Sequence, residues 1–309
     1  SDGDVFRFQE YSGVTSIIHI DSIQVCRGAL PVPTLVGSYT SSTVINKGIQ
    51  VLYVESLGFA FTTAMESDSL AVIDVTTDPA NPSLAGSVTD GSSLNGAQDM
   101  AYSESRGHLY VASAGTDMMA IFDLQTDATS PSLVGSYTSS TVINFCIDVH
   151  NDESRGYVFA TGLFSDSFAI IDVGTDPSSP SLVGSYISST YINGAFGIDY
   201  SESDGHAFVV GADSESLAVL DVGTDASSPS LVGFYTSSSY LSSARGCAYD
   251  DVREYVYVAG YSDNAVVVID VGTDASNPSL VGYFVSSTYM AQPWYLACDP
   301  SRGYVYVGG

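Results

Sequence analysis

Five aspartate pairs, Asp74/Asp78, Asp123/Asp127, Asp172/Asp176, Asp221/Asp225 and Asp270/Asp274, stand four residues apart along the chain. Two carboxylates at that spacing can be hard oxygen donors for calcium, which takes about six to eight of them. The same residues do a plainer job in an Asx turn, where the first ends a strand and the second accepts hydrogen bonds from nearby backbone N–H groups. Every copy has the pair, and a functional site is rarely needed five times over. The turn reading is therefore preferred and no cofactor is expected, with calcium as the alternative.

A second acidic row, Asp68, Asp117, Asp166, Glu215 and Asp263, precedes a hydrophobic run in each copy. It can ring one mouth of a channel and draw cations, or simply be solvated turn. Arg106, Arg155, Arg253 and Arg302 recur in ESRG-type turns beside Glu104, Glu153 and Asp299, where local ion pairs of little net energy are expected rather than a basic ring for an anion. The four histidines show no ligand spacing, and no GxSxG elbow occurs. No catalytic residue is expected.

These residues sit on a strict period. The glycine of the LVG signature (once LAG) falls at Gly37, Gly86, Gly135, Gly184, Gly233 and Gly282, every interval being 49 residues. Each unit holds four short runs rich in Val, Ile, Tyr and Phe, bounded by Gly, Pro, Asp or Ser, which is how strands and turns look in sequence. In the third copy they are 146–150, 156–160, 167–173 and 181–188. The third run, FAIIDV or LAVLDV, is almost continuously apolar, as expected of a strand covered on both faces. Four strands in such a unit describe a propeller blade.

The string LAVIDV, a short Asp-rich turn, Pro and SLVG, with a following GYVYV strand, resembles the LVIVD-repeat proteins, a group of surface-associated β-propellers. The resemblance covers about residues 16–309. It implies the fold and an extracellular or cell-surface setting, and it carries over no catalytic residues.

The head of the chain supplies a third and a fourth strand, SIIHIDSIQV and TLVGSYTS, and the tail after Gly282 supplies a first and a second. Residues 283–309 and 16–37 together fill the 49 positions of one unit. The expected fold is all-β, a six-bladed β-propeller of four-stranded blades closed by strands from both termini, which removes free sheet edges. Residues 1–15 are left over as an N-terminal arm, whose Val5, Phe6, Phe8 and Tyr11 are candidate assembly contacts by strand addition.

Thirty-five acidic residues against eight basic ones give a net charge of −27, which repels nucleic acid and anionic membranes. No apolar run is long enough for a membrane span. Cys146, Cys247 and Cys298 fall in first strands and are expected as buried thiols, with a Cys247–Cys298 bridge as the alternative; Cys26 lies in the head. The start has no apolar h-region, so a mature or partial chain is expected. No N-linked sequon exists, whereas the Ser/Thr clusters have the composition of O-linked attachment.

The reading is a non-enzymatic extracellular structural or adhesive propeller, because the copies differ mainly by conservative swaps. Its partners are itself, in filaments joined through the arm, or other surface proteins or glycans. The alternative is a carbohydrate-binding or carbohydrate-cleaving propeller with a site on the channel face, using Tyr191, Tyr240, Tyr289 and Trp294 as stacking surfaces.

Overall fold

Third strands such as Ser69–Asp74 and Ser167–Asp172 are buried at their first five positions and half-buried only at the closing aspartate. A strand with no water face must lie between two other sheets, and that requirement sets the architecture. The computed structural model describes residues 5–11, 14–21 and 37–309. Two strands, β1 (Val5–Tyr11) and β2 (Val14–Asp21), precede β3 (Gly37–Thr40). Blade 1 follows as an antiparallel meander of β4 (Gly48–Val54), β5 (Phe59–Ala64), β6 (Ser69–Asp74) and β7 (Ser83–Thr89). Blades 2 to 5 repeat it over residues 97–138, 146–187, 195–236 and 244–285, and β24 (Tyr295–Asp299) and β25 (Tyr304–Gly308) end the chain. Among the described residues the only helix is one 3-10 turn, Ala114–Thr116, and none is long and apolar enough to cross a membrane.

The core lies between blades. Tyr110, Met119 and Ile121 of blade 2 pack on Ile143, Val149 and Val158 of blade 3, and Phe159, Phe168 and Ile170 of blade 3 on Ile192, Ile198 and Val209 of blade 4. Full burial of each such side chain contributes about 1.5–3 kcal/mol. The LVG glycine is the outer counterpart of this packing. A Cβ at Gly135, Gly184 or Gly233 would lie 2.3 Å from a carbonyl oxygen in the Asp-rich turn of the following blade, so that turn seats on bare backbone.

The structure has five full blades and a partial sixth. β2 takes the third-strand place and β3 the fourth, with Ile20 opposite Gly37 as Val72 is opposite Gly86. The expected continuation from β25 to β2 is not formed: β24 and β25 make a two-stranded sheet, while β1 pairs with β2 in a three-stranded sheet. The arm, expected to pair either with its own ring or with the next molecule, supplies over Val5–Tyr11 a strand hydrogen-bonded within its own chain. Two strands compete for the one edge of β2, and the local hairpin closes the shorter loop. The side chains of Val5, Phe6, Phe8 and Tyr11, and Cys26, lie outside the described residues.

Candidate functional site

The inner strand of every full blade carries a one-residue bulge near its start. Gly48 pairs with Ala64 but Val51 with Thr62, and the same shift recurs between Ala97 and Met100, Cys146 and Val149, Ala195 and Ile198, and Ala244 and Cys247. A bulge re-aims the side chains at the extra residue. The two residues involved are Ile49–Gln50, Gln98–Asp99, Ile147–Asp148, Phe196–Gly197 and Arg245–Gly246, and the matching pair in the sixth unit is Trp294–Tyr295. The repeat that is so uniform in its turns is different here in every copy, so the expectation of mainly conservative swaps fails at this one place.

In blades 1 to 3 the second bulge residue ties down the next blade. Gln50 Oε1 accepts the Met100 N–H at 2.6 Å, Asp99 Oδ2 the Val149 N–H at 3.1 Å and Asp148 Oδ2 the Ile198 N–H at 3.3 Å. Asp99 and Asp148 are buried and within hydrogen-bonding reach of each other. Burial pushes the Asp99 carboxyl up to about 6, an effect the hydrogen bond from Asp148 and the Val149 N–H partly offset. Burial and then the charge of Asp99 push Asp148 well above the usual carboxylate range. Two like charges cannot share a low-dielectric site, so the pair holds a proton between its members.

In blades 4 and 5 glycine stands at that position because the inner strands approach more closely. A Cβ on Gly197 would lie 2.5 Å from the Arg245 oxygen, and one on Gly246 2.8 Å from the Trp294 oxygen. The tie moves to Asp199, whose Oδ2 accepts the Tyr249 N–H at 2.7 Å. The close approach gathers the preceding residues: the Arg245 guanidinium carbon lies 4.5 Å from the Phe196 ring centroid, 4.8 Å from that of Trp294 and 5.0 Å from that of Tyr261. Arg245 Nε, Trp294 Nε1 and the Tyr295 hydroxyl are all buried without a hydrogen-bond partner. Leaving one such donor unsatisfied costs about 1–3 kcal/mol. Trp294 Nε1 lies near the Tyr295 hydroxyl at a geometry short of a hydrogen bond.

Burial first, then the charges of Asp99 and Asp148, raise the Tyr295 phenol well above its ordinary value, and the nearby Arg245 opposes them. A residue of the sixth unit thus lies near enough to the carboxyls of blades 2 and 3 to feel their charge. Arg245 is also flanked by Tyr261 and Asp213, in the turns before the third strands of blades 5 and 4, which places it at that end of the channel. An anion or acceptor can be gripped on one side and hydroxyl groups on the other.

The residues singled out from sequence fall elsewhere, with one exception. Trp294 stands at the channel mouth. Tyr191 packs against Phe234 at 4.7 Å and Tyr240 against Tyr283 at 4.0 Å, both on outer strands, while Tyr289 is 84% exposed. The Asp pairs form Asx turns: Asp172 Oδ1 accepts the N–H groups of Gly174 and Thr175, and Asp176 Oδ1 that of Ser178. In the second acidic row the residues have left-handed backbone, and Asp68, Asp117 and Asp166 accept the N–H of Gly96, Phe145 and Gly194. Its fifth member is Asn264 rather than Asp263, since Asn264 has the left-handed φ and accepts the Gln292 N–H at 2.9 Å. Arg155, Arg253 and Arg302 pair with the aspartate three residues before, and Arg106 reaches Glu153 at 3.8 Å. Cys146, Cys247 and Cys298 are free thiols. Asp99, Asp148, Arg245 and Tyr295 were missed. Their signal was available as two adjacent repeat offsets at which no two copies carry the same pair of residues.

The LVIVD repeat is matched at residues 59–90, 157–188, 202–237 and 253–285. No curated protein matches the chain. Among solved structures, a Bacteroides fragilis protein provisionally named a 6-phosphogluconolactonase superposes with a TM-score of 0.77 at 12% identity, covering 96% of this chain and 84% of that one. The periplasmic gluconolactonase of Pseudomonas aeruginosa gives 0.75 at 10% identity, over 97% and 82%. A chain of the nidogen/laminin complex gives 0.63 at 10% identity, over 96% and 98%. At such identities the likeness is one of fold.

Proposed function

From a chain that carries four LVIVD repeats in a propeller-like fold, we infer a non-enzymatic extracellular binding module whose channel mouth takes a carbohydrate. The observation that carries this reading is the asymmetry of the bulge pairs. Two buried acids face an aromatic-caged arginine, a tryptophan and a tyrosine, with three unpartnered buried donors among them. A sugar offers an apolar ring face for the aromatic side chains and hydroxyl groups for donors and acid pair alike, which is the composition of an orienting pocket. The acidic surface, with net charge −27, favours a soluble module outside the cell over one bound to polyanions. A glycan array probed with the intact chain tests it. Binding to a defined set of glycans that Trp294→Ala abolishes is expected, and an array without signal ends the reading.

A second reading, a structural module that assembles with itself, is favoured by β23 (Ser279–Val285). Its Val281, Tyr283, Phe284 and Val285 are each about half exposed, Val281 and Phe284 more so than their counterparts Val183, Tyr186, Val232 and Tyr235 in blades 3 and 4, and a Cβ on Gly282 would meet nothing within 4 Å. Contact through this strand or through residues 1–15 would join molecules head to tail. Electron microscopy decides between fibres and dispersed particles.

A further inference from the structure

We propose that the sugar taken at the channel mouth is an acidic one, its carboxylate held by Arg245 and its ring and hydroxyl groups by Trp294 and Tyr295 beside it. The inference rests on the carbohydrate reading above and narrows its ligand.

Arg245 is unusual for this chain. With 35 acidic residues in the sequence, Arg106, Arg155, Arg253 and Arg302 each find a carboxylate within 4.0 Å. Arg245 has none at that distance, although Asp213 lies close enough to raise its pKa against the larger, opposite effect of burial. Three rings fix its guanidinium instead. Cation–π packing of this kind holds the group without using its N–H donors. Nε is buried among the rings, which leaves the Nη nitrogens as the accessible donors. A guanidinium held with its two Nη groups free is suited to bidentate grip of a planar carboxylate.

The carboxyls of Asp99 and Asp148, near enough to Tyr295 for their charge to act on it, add negative potential that repels a dianion such as phosphate more than a carboxylate. Trp294 Nε1 and the Tyr295 hydroxyl, next to Arg245 in the same wall, are donors that acceptor oxygens of the ligand would satisfy. A neutral sugar would leave the Arg245 charge, more than half removed from water, without a counterion.

Titration calorimetry of the intact chain with glucuronate and galacturonate, with glucose and galactose, and with acetate tests the proposal. The uronates are expected to bind at least about tenfold more tightly than their neutral parents, and acetate much more weakly than either uronate. Arg245→Gln should erase the difference between uronate and parent by weakening the uronates far more than the neutral sugars. Arg245→Lys, which keeps the charge and the ring contacts but not the fork, covers the case in which the Gln variant fails to fold, and should remove most of the difference. Parents that bind as well as uronates overturn the proposal and leave the carbohydrate reading standing. Acetate that binds as tightly as the uronates reduces the site to one for a bare anion and overturns it. If neither uronates nor parents bind, the carbohydrate reading falls, and this inference with it.

Discussion

The rim of each blade and the start of its inner strand are built from the same repeat and treat it in opposite ways. At the rim the third strand, the Asx turn and the LVG glycine recur almost unchanged, each turn seated on the glycine of the blade before. At the bulge the six copies present Gln50, Asp99, Asp148, Gly197, Gly246 and Tyr295 in turn. The rim is held to one solution because a backbone carbonyl packs where a side chain would begin. The bulge has only to supply, or to make room for, one tie to the next blade, so its side chains are free to become a site.

The contrast breaks most visibly at the glycines. Gly184→Val puts a branched side chain where a carbonyl oxygen already lies 2.3 Å from the Cβ position. It is expected to cost about 3 kcal/mol or more, or to prevent folding, as read by urea denaturation.

The next largest effect is sensitivity to pH. The folded pKa of Asp99 lies near 6, above the ordinary carboxyl value of 3.8, and that of Asp148 is raised too. The stabilising protonated form is fully present in acid, and its contribution is lost as pH rises from about 4 through 6. Cys146 and Tyr295, which lie near the pair and whose pKa values are raised by burial, stay neutral over this range. Asp99→Asn keeps an acceptor for the Val149 N–H and removes the titration. Stability profiles from pH 4 to 7 should show wild type falling by on the order of 2 kcal/mol relative to this variant. Parallel profiles would mean that the pair is not buried as described.

A smaller change is expected at the rim. Asp172→Ala removes the acceptor of the Gly174 and Thr175 N–H groups and should cost about 1 kcal/mol, measured by chemical denaturation, without altering ligand affinity at the channel. Last comes Gly282→Ala, the one LVG glycine with open space around its Cβ position, for which a change within about 0.5 kcal/mol is expected. A penalty like that at Gly184 would show that a turn does seat on this glycine in solution.

What the chain declares in its own order is the rim. A 49-residue period, apolar third strands and aspartates at fixed spacing are local patterns, and local hydrogen bonds between residues two or three apart turn them into strands and Asx turns wherever they occur. The composite blade was legible as arithmetic, yet arithmetic cannot choose between β25 and β1 for the edge of β2, because both are strands of suitable length and the choice depends on loop closure. The channel site was out of reach for a different reason. Asp99, Asp148, Arg245 and Tyr295 are separated by one to four repeat lengths, and nothing in their neighbourhoods marks them. Their burial, their mutual distances and the bulge that turns them toward one another exist only once the blades are stacked around an axis. The repeat determined which elements form, and tertiary packing decided which of their variable side chains meet.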